Sequence, residues 1–217
     1  MIGLFNKWRR YKPLPNIIDV RFYSKFRVAG PLLGSHLCTK LQVMDILNST
    51  TADIDAIFEL YAMATEHQRA QKTVIVWPQF SREMVAVEIA ENRQWKLVID
   101  GQIACVWATT FTDAEIWEER NADPAVYIHR IATHPAFRGR NFVSVIVAWA
   151  RQYAKEQGKQ FIRLDTIGNN TKLIDVYVRA GFEFLGLFQL TNTSGLPAHY
   201  QSGLPACLFE IALERGQ

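Results

Sequence analysis

Ile131-Ala132-Thr133-His134-Pro135-Ala136-Phe137-Arg138-Gly139-Arg140-Asn141-Phe142 runs out of an apolar strand, through a short loop with proline, glycine and two arginines, into a stretch with helical spacing. The first backbone N–H groups of a helix have no intrahelical acceptor and sit at the positive end of its dipole, so an anion is stabilised there. Arg138 and Arg140 add formal charge to that position. Two readings follow: a cradle for a phosphate or pyrophosphate, or a plain strand-to-helix connection with two solvated arginines.

Working outward, residues 127–133 form the strand that feeds the loop. Residues 142–157 form the helix that leaves it, with Val143, Ile146, Val147, Ala150 and Ala154 on one face and Gly158 as its stop. Upstream, residues 95–99, Asp100-Gly101 and residues 102–110 read as a hairpin, because Asp-Gly supplies the positive φ of a two-residue turn. Residues 41–47 alternate as a strand, and Thr50-Thr51-Ala52-Asp53 resembles a capping box. A helix with Ile54, Ile57, Phe58, Tyr61 and Ala64 on its apolar face follows, reaching about residue 68. Residues 73–80, interrupted by Pro78, are a loop or strand fragment before a second helix over residues 81–92. Downstream come a strand at 161–165, a helix at 170–180 ended by Gly181, and strands at 182–190 and 207–213 around a Gly/Pro-containing loop. The order is strand, two helices, three strands, helix, strand, helix, two strands, which specifies an α/β fold: a mixed sheet covered by helices.

A second stretch, Asn169-Asn170-Thr171-Lys172-Leu173-Ile174-Asp175-Val176-Tyr177-Val178-Arg179-Ala180-Gly181-Phe182, puts Asn170, Leu173, Ile174 and Tyr177 on one helix face. Together the two stretches resemble the GNAT superfamily of acetyl-CoA-dependent N-acetyltransferases. That family has an Arg/Gln-x-x-Gly-x-Gly/Ala loop between strand and helix, then an Asn, a Tyr seven residues on, and Gly-Phe entering the next strand. Arg138, Asn170, Tyr177 and Gly181-Phe182 match, and the element order agrees across roughly residues 41–213. The resemblance implies a mixed, mainly antiparallel central sheet (α+β in stricter usage). Two positions depart from it. Asn141 replaces the first loop glycine, and asparagine is the residue that best tolerates left-handed φ. Val143 replaces a glycine or alanine, and its branched side chain is expected to crowd a pyrophosphate.

The resemblance further implies acetyl-CoA as cosubstrate and an amine of a small molecule or peptide as acceptor. The N–H groups of Ile131 and Thr133 would bind the pantetheine arm, the amides of Gly139, Arg140, Asn141, Phe142 and Val143 with Arg138 the pyrophosphate, and Asn170 the thiol end. Transfer from a thioester needs a neutral amine and a proton for the departing thiolate. Tyr177, protonated at neutral pH, suits the second role, with core packing as its alternative. The carboxylate that many members carry on the fourth strand is replaced here by Tyr127. His129, two residues on and on the same strand face, is the candidate base, with a structural histidine as the alternative. Trp77, Phe80, Trp107 and Trp117 are candidates for an acceptor pocket or for the core, and the acidic run at residues 113–119 either attracts a cationic amine or is a solvated loop. The second functional class left open by Asn141 and Val143 is a GNAT-fold protein with weak or no catalysis that serves as a CoA-binding or interaction module.

Composition bounds these readings. The chain has 217 residues, 49% apolar and 21% charged, enough for one domain with a substantial core. Its net charge of +3 is unevenly distributed: residues 1–40 hold eight Lys/Arg against Asp19, a net +7, and residues 41–217 hold sixteen against twenty, a net −4. A mildly acidic body gives no support for nucleic-acid binding. Residues 1–40, with Pro13 and Pro15 and no sustained period, are expected to be a basic N-terminal extension, and residues 41–217 the acetyltransferase-like domain. Cys38, Cys105 and Cys207 make neither a disulfide framework nor a thiolate metal site, and His36, His67, His134 and His199 have no ligand spacing, so no metal is expected and a reducing, cytoplasmic compartment fits. The longest apolar run, residues 143–150, is far short of the roughly 20 residues that span a membrane. The composition is also compatible with a homodimer.

Overall fold

A computed structural model describes residues 43–214; the basic segment expected at 1–40 and Cys38 lie outside the described residues. The chain forms β1 (Met44–Asn48), α1 (Ile54–Ala70), α2 (Arg82–Ala90), β2 (Gln94–Ile99), β3 (Gln102–Thr110) and a short α3 (Ala114–Trp117). It continues with β4 (Ala125–Thr133), α4 (Phe142–Glu156), β5 (Phe161–Ile167), α5 (Thr171–Arg179), β6 (Glu183–Phe188) and β7 (Ala206–Ala212). The seven strands make one sheet in the order β1-β2-β3-β4-β5-β7-β6. Every neighbouring pair is antiparallel except β4 and β5, which are parallel.

Local chemistry sets most boundaries. Thr50 and Asp53 close a reciprocal capping box ahead of α1, and the Ser81 hydroxyl accepts from Met84 N at the start of α2. The β2–β3 hairpin turns on Asp100 (φ 49°) and Gly101 (φ 84°), as Asp-Gly requires. Residues 73–80 form no strand. Thr73 Oγ1 donates to the Ile75 carbonyl (2.7 Å), and Trp77 N donates to Gln68 Oε1 (2.8 Å), so side chains of the loop and of α1 take up the polar groups. The acidic run is not a solvated loop. It folds into α3 and a 3-10 turn, Glu118–Ala122, because Ile116 and Trp117 are buried against the sheet.

Helices cover both faces, which is why β3 is buried at six consecutive positions instead of alternating. On one face Cys105, Trp107, Val126, Ile128, Leu164 and Phe209 pack beneath α4 and α5. On the other, α1 and α2 cover Val106 and Ala132, while Trp117 packs with Tyr127, Leu208 and Leu190. Trp107 and Trp117 are therefore core residues, and Trp77 and Phe80 remain partly exposed, edge-on to Tyr61.

Arg163 of β5, at 1% exposure, is a charged residue inside this core. Its Nε donates to Glu210 Oε2 (2.7 Å) and Nη1 to the Arg120 carbonyl (2.6 Å) and Tyr127 Oη (3.3 Å); Nη2 pairs with Asp123. Its guanidinium lies 4.7 Å from the Trp117 ring centroid and 4.8 Å from that of Phe161. One side chain thus ties β4, β5, β7 and the α3 excursion together. Arg163→Met leaves the half-buried Glu210 without its cation and is expected to cost about 3 kcal/mol, measured as a lower urea midpoint at unchanged m-value.

Candidate active site

The parallel pairing of β4 and β5 covers three residue pairs, Ala125↔Phe161, Val126↔Ile162 and Tyr127↔Arg163, and then stops. Beyond it each strand keeps its outer neighbour. Thr133 still pairs with Cys105 of β3, and Ile167 with Ala206 of β7, so the middle of the sheet opens as a wedge. A bulge in β4 helps to form it: Arg130 has φ 53°, and the β3–β4 register shifts between Val106 and Ala108. Arg130 is held there by Glu88 of α2 (2.5 and 2.6 Å) and Tyr61 Oη (3.3 Å). His134 N donates to Ala104 of β3 (2.9 Å), so by antiparallel alternation the N–H groups of Ile131 and Thr133 face the β5 side, into the wedge.

Since α4 follows β4 and α5 follows β5, the N-termini of both helices lie at the open end. The loop into α4 takes a 3-10 turn at Pro135–Phe137, then Gly139 at φ 81° and Asn141 at φ 55°, ψ 44°. Asn141 thus takes the left-handed conformation at the position where the resemblance places a glycine. A Cβ built on Gly139 meets nothing within 4 Å, so the backbone is approachable there. Phe142 is buried and Val143 half-buried in the first turn of α4. The Arg138 guanidinium turns to the Met63 carbonyl of α1 (3.4 Å), and that of Arg140 lies 5.0 Å from the Phe137 ring. Asn170 caps α5, its Oδ1 accepting from Leu173 N (3.2 Å).

The catalytic candidates fall on opposite faces. Tyr177 projects from α5 toward the wedge, half-buried, its ring 5.1 Å from that of Phe209 and 6.0 Å from that of Phe182. Burial, with Asp165 and Cys105 nearby, raises its phenol above the ordinary value, so the hydroxyl stays protonated. His129, on the α1–α2 face, has its Nε2 3.7 Å from Asp113 Oδ2. Burial, then the charges of Arg130 and Arg93, push the imidazole down to about 3, so it is neutral at physiological pH and a weak proton acceptor. Tyr127, at the position of the family's carboxylate, is fully buried and occupied by Arg163.

Two further residues stand beside His129: Asp113, which the sequence offered only within the acidic run at 113–119, and Asp165, which sequence reasoning missed. Asp113 comes from the turn before α3, its side chain 11% exposed and its Oδ2 buried without a hydrogen-bond partner. Asp165, on β5 two residues past the last parallel pair, accepts from Tyr200 Oη of the β6–β7 connection (2.7 Å). One ligand-type atom from each of Asp113, His129 and Asp165 lies within 4.8 Å of the others. Burial, reinforced by Asp165 and Glu115, raises the Asp113 carboxyl to about 8. The acidic run was the only sequence signal for Asp113; Asp165 had none beyond strand alternation.

The sign of that shift sets a pH dependence. A folded-state pKa raised above the unfolded value means that the folded chain holds a proton the unfolded chain has released. The contribution is full below about pH 4 and is lost as pH rises through about 8. Urea midpoints between pH 5 and 8 should therefore fall more steeply for the wild type than for Asp113→Asn, and equal slopes would show Asp113 to be ionised throughout.

A family model described as the acetyltransferase (GNAT) family matches residues 54–182. Among curated proteins, the chain is 30% identical over 74 residues to the uncharacterized N-acetyltransferase YesJ of Bacillus subtilis, covering 34% of this chain and 41% of that protein. It is 30% identical over 120 residues to streptothricin acetyltransferase of Streptomyces lavendulae, covering 53% and 59% respectively. The matches thus span about half the length of these relatives. Among solved structures, a GNAT-family acetyltransferase of Listeria monocytogenes superposes with TM-score 0.62 at 22% identity over 79% of this chain and 95% of its own. YncA of Salmonella typhimurium, solved with its cofactor acetyl-CoA, does so with TM-score 0.58 at 15% identity over 80% and 95%. At such identities the structural likeness is one of fold, whereas the family model spans more than half of the 217 residues, and the chain belongs to the GNAT acetyltransferase family.

Proposed function

We propose that this protein transfers an acetyl group from acetyl-CoA to the amine of a small molecule or peptide, with residues 41–217 as the acetyltransferase unit. The observation that carries the reading is the wedge between β4 and β5, whose free strand edge points inward and whose mouth is flanked by two helix N-termini. An elongated molecule with amides along its length and phosphates at one end complements such a surface. The N–H groups of Ile131 and Thr133 would hold the pantetheine arm along β4. The amides of Gly139, Arg140, Asn141, Phe142 and Val143 would hold the pyrophosphate at the start of α4, where the dipole favours negative charge. The left-handed Asn141 supports this fit, since it turns the loop as a glycine would. Arg138 would supply charge at the rim, and Asn170 would lie near the thiol end. Bound there, acetyl-CoA supplies the acetyl group as a thioester.

The remaining chemistry falls to this chain's own side chains. Tyr177 reaches the wedge from the α5 face with its hydroxyl protonated, and gives a proton to the sulfur as the carbon–sulfur bond breaks. The acceptor approaches from the opposite face, where α1, α2 and the β6–β7 connection leave the partly exposed Trp77 and Phe80.

Two outcomes are expected. Acetyl-CoA at about 100 times its Kd should raise stability by about 2.7 kcal/mol. Arg138→Glu should reduce that gain while the ligand-free melting curve stays close to wild type, since Arg138 is exposed. An unchanged melting temperature of the wild type at millimolar acetyl-CoA would refute the cradle. Tyr177→Phe should lower kcat with little change in acetyl-CoA affinity, and because a raised pKa weakens the acid, the loss belongs at the lower end of the range for acid catalysis, about 100-fold. Wild-type turnover in that variant would reduce Tyr177 to packing.

A further inference from the structure

We propose that Asp113, Asp165 and His129 form the seat for the acceptor's ammonium group, that Asp113 takes the proton which frees the nitrogen for attack, and that the acceptor is an aliphatic amine without a carboxylate beside the reacting nitrogen, such as a diamine or an aminosugar. The inference rests on the acetyl-transfer reading for its chemistry, and on the cluster's geometry for its ligand.

Position comes first. His129 and Asp165 are each two residues past the last parallel pair, Tyr127↔Arg163, on the two strands that diverge there. By strand alternation both side chains lie on the face of Tyr127 and Arg163, opposite α4 and α5. The cluster therefore flanks the wedge from one side while Tyr177 flanks it from the other, close enough for Asp165 to perturb the Tyr177 phenol. Overhead, Ile75 of the α1–α2 loop and Leu204 of the β6–β7 connection both lie within 4 Å of a Cβ built on Gly168, just past β5, so the two loops meet above this end of the sheet.

Charge comes second. The groups facing His129 are Asp113, Asp165, Arg93 and Arg130, and those facing Asp113 are His129, Asp165, Glu115 and Tyr200. Both arginines are already paired. Arg130 holds Glu88, and Arg93 holds Glu91 at 2.5 Å with Glu88 at 3.9 Å. Asp113 Oδ2 is left buried without a hydrogen-bond partner, and Asp165 is served by a phenol instead of a cation. Buried carboxylates lacking a cation are costly, and a site that gathers two beside a neutral imidazole is completed by a positive donor.

Spacing bounds the kind of donor. An ammonium nitrogen about 2.8 Å from each acceptor in tetrahedral directions keeps those acceptors about 4.6 Å apart. A zinc ion about 2.1 Å from tetrahedral ligands keeps them about 3.4 Å apart, and an octahedral magnesium ion about 3 Å. The 3.7 Å between His129 Nε2 and Asp113 Oδ2 exceeds the octahedral spacing and falls between the zinc and ammonium values, with all three atoms within 4.8 Å of one another, so the ammonium assignment rests on charge and on the wedge beside the cluster. Glu115 adds negative charge beside Asp113, which favours a second cation on the acceptor and repels an α-carboxylate.

In the step itself, an N–H bond of the ammonium breaks and its proton passes to Asp113 Oδ2. The freed lone pair forms the carbon–nitrogen bond as the thioester carbon–sulfur bond breaks, the sulfur leaves protonated, and the nitrogen loses its second proton to water, giving the amide. An ammonium beside Asp113 opposes the rise that burial causes, so the carboxyl is ionised once the acceptor is seated and can take that proton. His129 accepts a hydrogen bond and positions the nitrogen.

The test has two arms. Calorimetric titration of pentane-1,5-diamine into the full chain, without acetyl-CoA, should show binding that weakens at least about 10-fold in Asp113→Asn and in Asp165→Asn, the scale of one charge-assisted hydrogen bond. Thiol release from acetyl-CoA should favour pentane-1,5-diamine over 2-aminopentanoate by at least about 10-fold in kcat/KM. Asp113→Asn should lower kcat by about 100-fold and flatten the rise of kcat with pH, while acetyl-CoA still raises its melting temperature. Asp113→Asn replaces a buried, unpartnered carboxyl by a neutral amide of the same shape and should fold, so it carries the test if Asp165→Asn does not. Equal diamine binding by wild type and variants, wild-type kcat in Asp113→Asn, or no binding and no turnover of any alkylamine would overturn the proposal. So would turnover that EDTA abolishes and a divalent ion restores, which would make the cluster a metal site. A wild type that binds the diamine but gains no stability from acetyl-CoA would sink the acetyl-transfer reading and leave the ammonium seat standing.

Discussion

The short parallel ladder between β4 and β5 is the constraint on which the rest depends. Parallel strands are joined by a crossover, here α4, so β4 and β5 run side by side only as far as something holds them. That something is Arg163, opposite Tyr127 in the last pair, with hydrogen bonds to Tyr127, Glu210 and Asp123 and flat contacts to Trp117 and Phe161. Past it, β4 stays with β3 and β5 stays with β7, and the Arg130 bulge bends β4 away. Backbone donors on the freed edge must then be satisfied by water or by a ligand that enters the wedge. A sheet opened at its centre becomes a binding surface without dedicated side chains.

The wedge also separates two kinds of electrostatics. Its α4–α5 side offers helix N-termini and a protonated phenol, which suit an anion and a departing thiolate. Its α1–α2 side gathers Asp113, Asp165 and a neutral His129, which suit a cation. The two arginines nearest this second group do not neutralise it, because Glu88 and Glu91 engage them. On the proposed reading, donor and acceptor of the acyl group would meet through a gap in the sheet while their charges remain on opposite faces.

Legibility followed the range of the interaction. The Asp-Gly hairpin, the capping box at Thr50, the α4 stop at Gly158 and the apolar faces of α1 and α4 are set by neighbours within a few residues, and each could be read from spacing. The left-handed Asn141 belongs with them, since the preference resides in one residue's own backbone. Residues 73–80 were ambiguous because an apolar run with a proline satisfies neither period, and the partners that hold it, such as Gln68, lie on a different element. Trp107 and Trp117 looked like pocket candidates because aromatic identity does not reveal depth; one is buried beneath Trp149 and the other beside Arg163.

The sequence by itself determined the order of elements, the turns and caps between them, the charge contrast between residues 1–40 and the rest, and the Arg138, Asn170, Tyr177 pattern that resembles the family. Only the tertiary structure decided that Arg163 is buried, that β4 bulges at Arg130, and that Asp113, His129 and Asp165 converge. The reason is physical. Capping and turn preferences act over three or four residues and leave a periodic trace, whereas Asp113 and Asp165 are 52 positions apart in the chain and meet only because α3 packs on the sheet and β5 lies beside β4. Burial then shifts the Asp113 carboxyl upward and the His129 imidazole downward, reversing which is the better base, and burial is a property of the folded chain.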